Sequence, residues 1–245
     1  MDRMFKKVLT VIIFYILIQH SLSAEIVRIF EFTEEELSTL KVRKVKGITT
    51  YTLGSNENGN YLRAESEGKA SGLGKEVKID LTETPFINIT WKIEKDLSGI
   101  VENSRKGHDY AARVFVIKKT GKTALSNRAI NYVFSSNNSI GENWPSPYTK
   151  KSIDYVLSTT KEHNDEWVTV KANVKKHFKK LHNLDVEELN GLAIMTDTDN
   201  SKLQLFRTIK ISIFLQNNYI FKYFFKPMLR KESAIATKTS SKGVA

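Results

Sequence analysis

One stretch of the sequence, residues 109–116, is apolar on both sides of an extended strand and carries a charge inside it. It reads D-Y-A-A-R-V-F-V and is followed by Ile117. Successive side chains of a strand point to opposite faces, so one face is Tyr-Ala-Val-Val and the other is Asp-Ala-Arg-Phe-Ile. A strand that is apolar on both faces lies in the middle of a sheet that is covered on both sides. The stretch therefore predicts a layered β domain with Arg113 buried in it.

The pattern of strands and turns extends through most of the chain. Further runs of strand-like residues lie at 49–53, 61–65, 77–81, 86–93 and 128–134. Turn residues separate them, such as N-E-N-G at 56–59, which predicts a hairpin. A single helix is predicted at 174–182, with Asn173 as its N-cap. These features indicate an all-β fold.

The positive charge of the chain is concentrated at its two ends. The chain has 245 residues and a formal net charge of +11. Residues 1–24 contribute +2 and residues 203–245 contribute +7, which leaves only +2 for residues 25–202. Because the excess positive charge lies at the two ends of the chain and not on one face of a domain, it does not indicate binding to DNA or RNA. We expect no nucleic-acid partner.

The N-terminus has the three parts of a secretory signal peptide. Basic residues precede an apolar run of eleven residues, 8–18, and Ser21 and Ser23 precede a cleavage site before Ala24. The apolar run is shorter than the about 20 residues of a membrane span, although an uncleaved anchor is the alternative. The chain has no cysteine, which fits export in a bacterium better than eukaryotic secretion. We predict a secreted or periplasmic bacterial protein.

Composition also predicts the domain boundaries. Residues 1–23 are the signal peptide, and residues 25–202 form one domain without a second apolar segment of spanning length, so no transmembrane domain is expected after cleavage. Residues 203–245 are basic and rich in Ile, Phe, Lys, Asn and Tyr, and residues 233–245 are small and polar. This segment is predicted to be an atypical, partly disordered tail.

Two arginines, Arg113 and Arg128, occupy strand positions where alternation predicts burial, and a buried charge needs a partner. Asp109 lies four residues before Arg113, on the same strand face. One interpretation is a structural ion network. The alternative is a polar groove in which the planar arginine forks bind a sugar hydroxyl or carboxylate. The predicted ligand-binding residues are Asp109, Arg113, Arg128, Asn131, Trp144 and Tyr148.

The two aromatic residues of this set, Trp144 and Tyr148, come from the turn W-P-S-P-Y. One interpretation is that they stack on a sugar ring, and the alternative is that they pack on the edge of the sandwich. Asp197, Asp199 and Asn200 end an apolar run with oxygen ligands that suit calcium, although D-x-D-N is also a turn sequence. No other cofactor is expected. The chain has no thiol, no G-x-S-x-G and no histidine cluster, so neither acyl chemistry nor a histidine–metal site is predicted.

Six motifs, taken together and in order, resemble a family of bacterial secreted proteins, domain of unknown function three-zero-four-seven. They are L-R-A-E-S-E-G-K-A-S-G-L, D-Y-A-A-R-V-F-V, R-A-I-N-Y-V-F-S-S, W-P-S-P-Y, N-V-K-K-H-F and A-I-M-T-D-T-D-N. The resemblance covers about residues 47–202 and implies a β-sandwich of the jelly-roll type, like concanavalin and carbohydrate-binding domains. After Asn200 the chain lacks the closing strand of the family, and we hypothesise a frameshifted or divergent C-terminus.

From these observations we expect an exported envelope protein that binds carbohydrate or another envelope component without catalysis. The alternative is a carbohydrate-active enzyme, a polysaccharide lyase or a hydrolase, that uses the same groove. Hydrolysis of a glycosidic bond needs two flanking carboxylates, and the spacing of the acidic residues selects no such pair. A structural envelope protein without a ligand is the third interpretation. The oligomeric state is left open.

Overall fold

A computed structural model describes residues 26–57, 59–201, 204–205 and 209–216. The chain divides into two units, Val27–Leu215 and a second that combines Met1–Ile26 with Gln216–Ala245. The second unit lies almost entirely outside the described residues, as do the predicted signal peptide and most of the predicted tail. Two strands, one of two residues and one of eight, do fall within the segment that the sequence set apart as a tail. No helix among the described residues is long and apolar enough to cross a membrane.

Strands dominate the described part of the chain. They are β1 (Ile26–Arg28), β2 (Lys41–Lys46), β3 (Thr50–Asn56), β4 (Gly59–Glu67), β5 (Ala70–Asp80), β6 (Phe86–Ile93), β7 (Ala112–Lys118), β8 (Arg128–Ser135), β9 (Asn143–Ser146), β10 (Thr149–Thr159), β11 (Val168–Asn173), β12 (Glu188–Asp197), β13 (Gln204–Leu205) and β14 (Ile209–Gln216). The helices are α1 (Glu34–Thr39) and α2 (Val174–His182).

The described strands form two main sheets and one small sheet. The largest has seven strands in the order β2-β5-β12-β7-β8-β10-β9, the second has four in the order β1-β14-β6-β11, and the third has three in the order β13-β4-β3. Strand β7 is in the middle of the seven-stranded sheet, as its two apolar faces require. The hairpin of β3 and β4 pairs Asn56 with Gly59 across the turn that the sequence indicated.

The main core lies between the seven-stranded sheet and the second sheet. Trp91 of β6 is fully buried, its ring centroid is 5.3 Å from that of Phe134 of β8, and its indole N–H donates to the Ser158 hydroxyl of β10 at 2.8 Å. One side chain thus joins both sheets through apolar contact and a satisfied polar group. The predicted all-β sandwich is confirmed.

Both helices begin at capping side chains. Thr33 accepts a hydrogen bond from the backbone N–H of Glu36, and Asn173 accepts one from that of Lys176 at 2.9 Å, which satisfies donors that the first turn leaves free. Helix α2 buries Val174 and Phe178 against the sandwich. The predicted helix is therefore present, and the structure adds a second, shorter helix, α1.

The register of the seven-stranded sheet positions the candidate site. Residues that pair across neighbouring strands point to the same face. One such row runs along the outer face, away from the main core, through Gly74, Ala193, Phe115, Asn131, Asp154 and Trp144. Strands β8 and β10 are parallel, which places Asn131 beside Asp154. Outer-face polar residues from distant parts of the chain are thereby brought into one line.

Candidate functional site

Six buried polar residues lie together where this outer face meets the loops before β7 and after β12. We call them the polar cluster. They are His108, Asp109, Arg113, Asn131, Asp154 and Asp197. Each is at most 4% exposed, so the charges they carry must be balanced by partners inside the protein.

The partner of Arg113 is Asp197. Its Nη2 donates to Asp197 Oδ2 in a very short contact and to the carbonyl of His108 at 3.0 Å. The face of the guanidinium lies 4.5 Å from the ring centroid of Tyr110, where stacking favours a planar cation. The Nε of Arg113 is buried without a hydrogen-bond partner among the described residues. Arg113 and Asp197 together form a buried ion pair that joins β7 to β12.

Burial sets the proton affinities of this pair. Loss of solvent raises the pKa of Asp197 to about 6, although the charge of Arg113 opposes the rise. Burial alone lowers the pKa of Arg113, but the carboxylates of Asp197 and Asp154 reverse this and leave it raised. At neutral pH the pair is therefore ionised, with a carboxylate that is close to accepting a proton.

A second set of hydrogen bonds runs from His108 across β10 and β8. His108 Nε2 is 2.8 Å from Asp154 Oδ2, and the other oxygen of Asp154 accepts from the Asn131 amide at 2.7 Å. The Asn131 oxygen accepts in turn from the Ser152 hydroxyl at 3.0 Å. Fully buried Asp154 is thus neutralised by directed donors, and the orientation of the Asn131 amide is determined by both of its neighbours.

Among the described residues, Asp109 is hydrogen-bonded to no arginine. Its Oδ1 accepts from the backbone N–H and the side-chain amide of Asn200, and its Oδ2 accepts from the backbone N–H and the hydroxyl of Ser201. A carboxylate has about four lone-pair sites, so these four donors use its accepting capacity. Asp109 therefore holds the loop after β12 against the loop before β7.

The predicted calcium ligands do come together. Asp197 and Asp199 join Asp109 in a group whose carboxylate oxygens lie within 4.8 Å of one another. Calcium needs several free oxygens at once. The four donors on Asp109 and the guanidinium on Asp197 occupy those oxygens, so the partners present do not fit a calcium ion, and the calcium site stays a prediction that they disfavour.

Tyr148 is the exposed aromatic at this site. Its side chain is 54% exposed, and its hydroxyl donates to the Asn200 side-chain oxygen at 2.7 Å. The ring centroid lies 5.4 Å from the ring of His108 and 5.6 Å from the guanidinium of Arg105. Arg105 Nε donates to the carbonyl of Pro147 at 3.1 Å. The ring is thus held from several sides while more than half of it faces solvent.

Trp144 is placed more deeply than Tyr148. It pairs with Asp154 across β9 and β10 and packs against the small outer-face cluster of Tyr110, Val133 and Val156. The turn W-P-S-P-Y therefore combines the two alternatives that its sequence offered. Its tryptophan packs on the edge of the sheet, and its tyrosine is presented to solvent.

The strand register separates Arg128 from the other predicted residues. Arg128 pairs with Lys118, five positions along β7 from Arg113, so the two arginines point to opposite faces and lie at opposite ends of the strand pair. Its Nη1 donates to the carbonyl of Ser126. Burial is the main cause that lowers the pKa of His182, and the charge of Arg128 lowers it further. The other five predicted residues lie within or beside the polar cluster.

Sequence reasoning did not select three residues of the site. His108 is next to Asp109 in sequence but belongs to no histidine cluster, and Asp154 lies in the strand S-I-D-Y-V, where alternation places it on the face opposite Ile153 and Tyr155. Nothing in the polar loop 96–108 marks Arg105. Its importance arises only because the turn that contains Tyr148 folds against it.

The fold and the site define a β-sandwich protein with a polar and aromatic site on the outer face of its largest sheet. The profile of the family described as "Protein of unknown function (DUF3047)" matches residues 35–208, most of the chain. The chain belongs to this family. The match starts before the motifs that first suggested it and ends before β14. No curated protein matches the chain.

Several solved structures are similar in fold. A family 11 carbohydrate-binding module from Clostridium thermocellum, in complex with a β-1,3-1,4-mixed-linked tetrasaccharide, is 9% identical, with 79% of this chain and 96% of that chain covered and a TM-score of 0.41. A cellulase derived from Cel12A of Rhodothermus marinus is 9% identical, with 78% and 98% covered and a TM-score of 0.40. The mannan-recognising module TmCBM27 is 12% identical, with 80% and 96% covered and a TM-score of 0.35. Likeness at this level does not identify what the chain binds.

Proposed function

We propose that this protein is an exported bacterial module that binds carbohydrate without catalysis, on the outer face of the seven-stranded sheet. The observation that carries the proposal is the placement of Tyr148. An aromatic ring that is 54% exposed yet tied down through its hydroxyl is preorganised for a flat apolar partner, because little side-chain freedom is lost on binding. The apolar face of a sugar ring is such a partner.

The rest of the outer face supports an extended ligand. In the row from Trp144 to Gly74, Asn131 and Asp154 are buried, and the partly exposed residues Phe115, Ala193 and Gly74 span two strand spacings, about 10 Å. The ring of Phe115 lies beside the small side chain of Ala193 and offers a second, partly exposed stacking surface, which suits a ligand of more than one sugar ring.

A glycan array with the full chain tests this proposal. We expect binding to a defined set of glycans and at least a tenfold loss of affinity for Tyr148→Ala, the size of a single well-placed anchor. Tyr148→Phe keeps the ring and loses the hydroxyl that holds it, so its affinity should lie between that of the natural protein and that of Tyr148→Ala. Leu125→Ala changes another exposed apolar residue, 83% exposed and outside the site, and serves as the matched control. Absence of binding to any glycan would contradict the proposal.

The hydrogen-bonded pair of His108 and Asp154 supports the enzymatic alternative, a lyase or hydrolase at the same place, because such pairs also act in proton transfer. In the structure, both ring nitrogens of His108 face protein groups, Asp154 Oδ2 at 2.8 Å and Arg113 Nη1 at 3.5 Å. This supports a positioning role over proton exchange with a ligand. Incubation with each bound glycan separates the two, since release of oligosaccharides would favour the enzyme.

A further inference from the structure

We infer that the glycan bound at Tyr148 is acidic, with a carboxylate that pairs with Arg105. This inference rests on the proposed carbohydrate-binding function and names its ligand class. Arg105 lies in the loop before β7 and is exposed, unlike the buried Arg113. It is therefore the arginine of the site that a ligand reaches first.

The guanidinium of Arg105 is oriented by the protein. Its Nε donates to the carbonyl of Pro147 at 3.1 Å, and its central carbon lies 5.6 Å from the ring centroid of Tyr148. The two terminal nitrogens make no hydrogen bond within the described residues. A planar fork held in this way, with its terminal donors free, matches the two oxygens of a carboxylate better than it matches a single hydroxyl.

The charged groups around this guanidinium lie at different depths below the surface. The carboxylates of Asp109, Asp154 and Asp197 are buried, and each accepts hydrogen bonds from at least two protein groups. Arg113 pairs with Asp197, and neutral donors hold the charges of Asp109 and Asp154 below the surface. Among the described residues of this region, half-exposed Asp199 also carries a carboxyl group, and burial followed by repulsion from Asp109 raises its pKa.

Several exposed cationic residues lie in the segments around Tyr148. Lys46 places its ammonium 3.2 Å from the carbonyl of Asp199, and Lys106 and Lys150 are exposed on the two segments that carry Arg105 and Tyr148. A stacking ring beside a guanidinium whose terminal donors are free is complementary to a sugar that carries a carboxylate. A neutral sugar can accept hydrogen bonds from this fork but forms no ion pair with it.

The test compares polyuronates with neutral polymers of the same backbone. Binding of the full chain to alginate and to polygalacturonate is measured by isothermal titration calorimetry, each beside its carboxyl-reduced counterpart. We expect at least tenfold tighter binding to an acidic polymer, and weaker binding as sodium chloride rises from 50 to 500 mM, because the pairing is exposed and screened.

Variants assign the effect to Arg105. Arg105→Ala should reduce affinity for the acidic polymer about tenfold and leave that for the reduced polymer unchanged, and Arg105→Lys should lie between, since it keeps the charge and loses the fork. Arg63→Ala removes another exposed arginine, on β4, and is the matched control. Equal affinity for acidic and neutral polymers, or equal effects of Arg105→Ala and Arg63→Ala, overturns the inference and leaves carbohydrate binding intact. Absence of binding to every polymer and to the glycan array overturns both this inference and the proposed function.

Discussion

Replacing Arg113 by methionine removes one charge of the buried pair and keeps most of the side-chain volume. Both partners are only 3% exposed, and without Arg113 the Asp197 carboxylate keeps a single donor within the described part of the chain, the Tyr110 N–H at 3.2 Å. Breaking a buried ion pair from one side costs about 3–5 kcal/mol, because the remaining charge stays desolvated. We expect the free energy of unfolding at pH 7 to fall by that amount.

The pH dependence makes this prediction specific. The pKa of Asp197 is about 6 in the folded protein and about 3.9 in an unfolded chain, so the folded state binds the proton more tightly. Its contribution to stability therefore falls as pH rises from about 4 to about 6 and is constant above that. Without Arg113 the pKa of Asp197 rises further, so the stability of the variant continues to fall above pH 6, by about 1.4 kcal/mol per pH unit. The loss in free energy of unfolding caused by Arg113→Met should therefore be about 1.4 kcal/mol larger at pH 7 than at pH 5.

Urea unfolding followed by tryptophan fluorescence at pH 5 and pH 7 measures both quantities. The double variant Arg113→Met with Asp197→Leu is the matched control, because replacing both partners by apolar residues is often close to neutral. We expect it to lie within about 1.5 kcal/mol of the natural protein. A loss below about 1 kcal/mol at pH 7 for Arg113→Met, or an equal loss at both pH values, would refute the reasoning from buried charge.

Three other predictions concern the rest of the domain. Burial, and to a smaller extent the charge of Lys180, lowers the pKa of His177 to about 4. The free energy of unfolding should therefore fall by about 1–2 kcal/mol as pH drops from about 6.5 to 4, and urea unfolding at a series of pH values should show a smaller fall for His177→Phe. Asn173→Ala should cost about 1 kcal/mol through loss of the α2 cap and Asn173→Ser much less, measured in the same way. Millimolar calcium should leave Tm unchanged in thermal unfolding, because Asp109 and Asp197 are occupied, and a rise of several degrees would restore the calcium interpretation.

Local rules were sufficient for several elements of the fold. The hairpin around N-E-N-G and the helix after Asn173 follow from turn and capping chemistry, which acts within a few residues. The central position of β7 followed from its two apolar faces, because only a covered strand tolerates them. The same argument correctly expected Arg113 to be buried and therefore paired.

The partners at the site required the whole structure. Spacing along one strand predicts Asp109 as the partner of Arg113. The ion pair forms instead with Asp197, 84 residues away in sequence, because β12 pairs with β7. The register that sets Arg128 against Lys118 moves that arginine to the opposite face. Alternation within a strand specifies only which residues share a face. Which strands become neighbours, and in which register, is decided by the packing of the entire core, and that packing brings Arg105 to the ring of Tyr148.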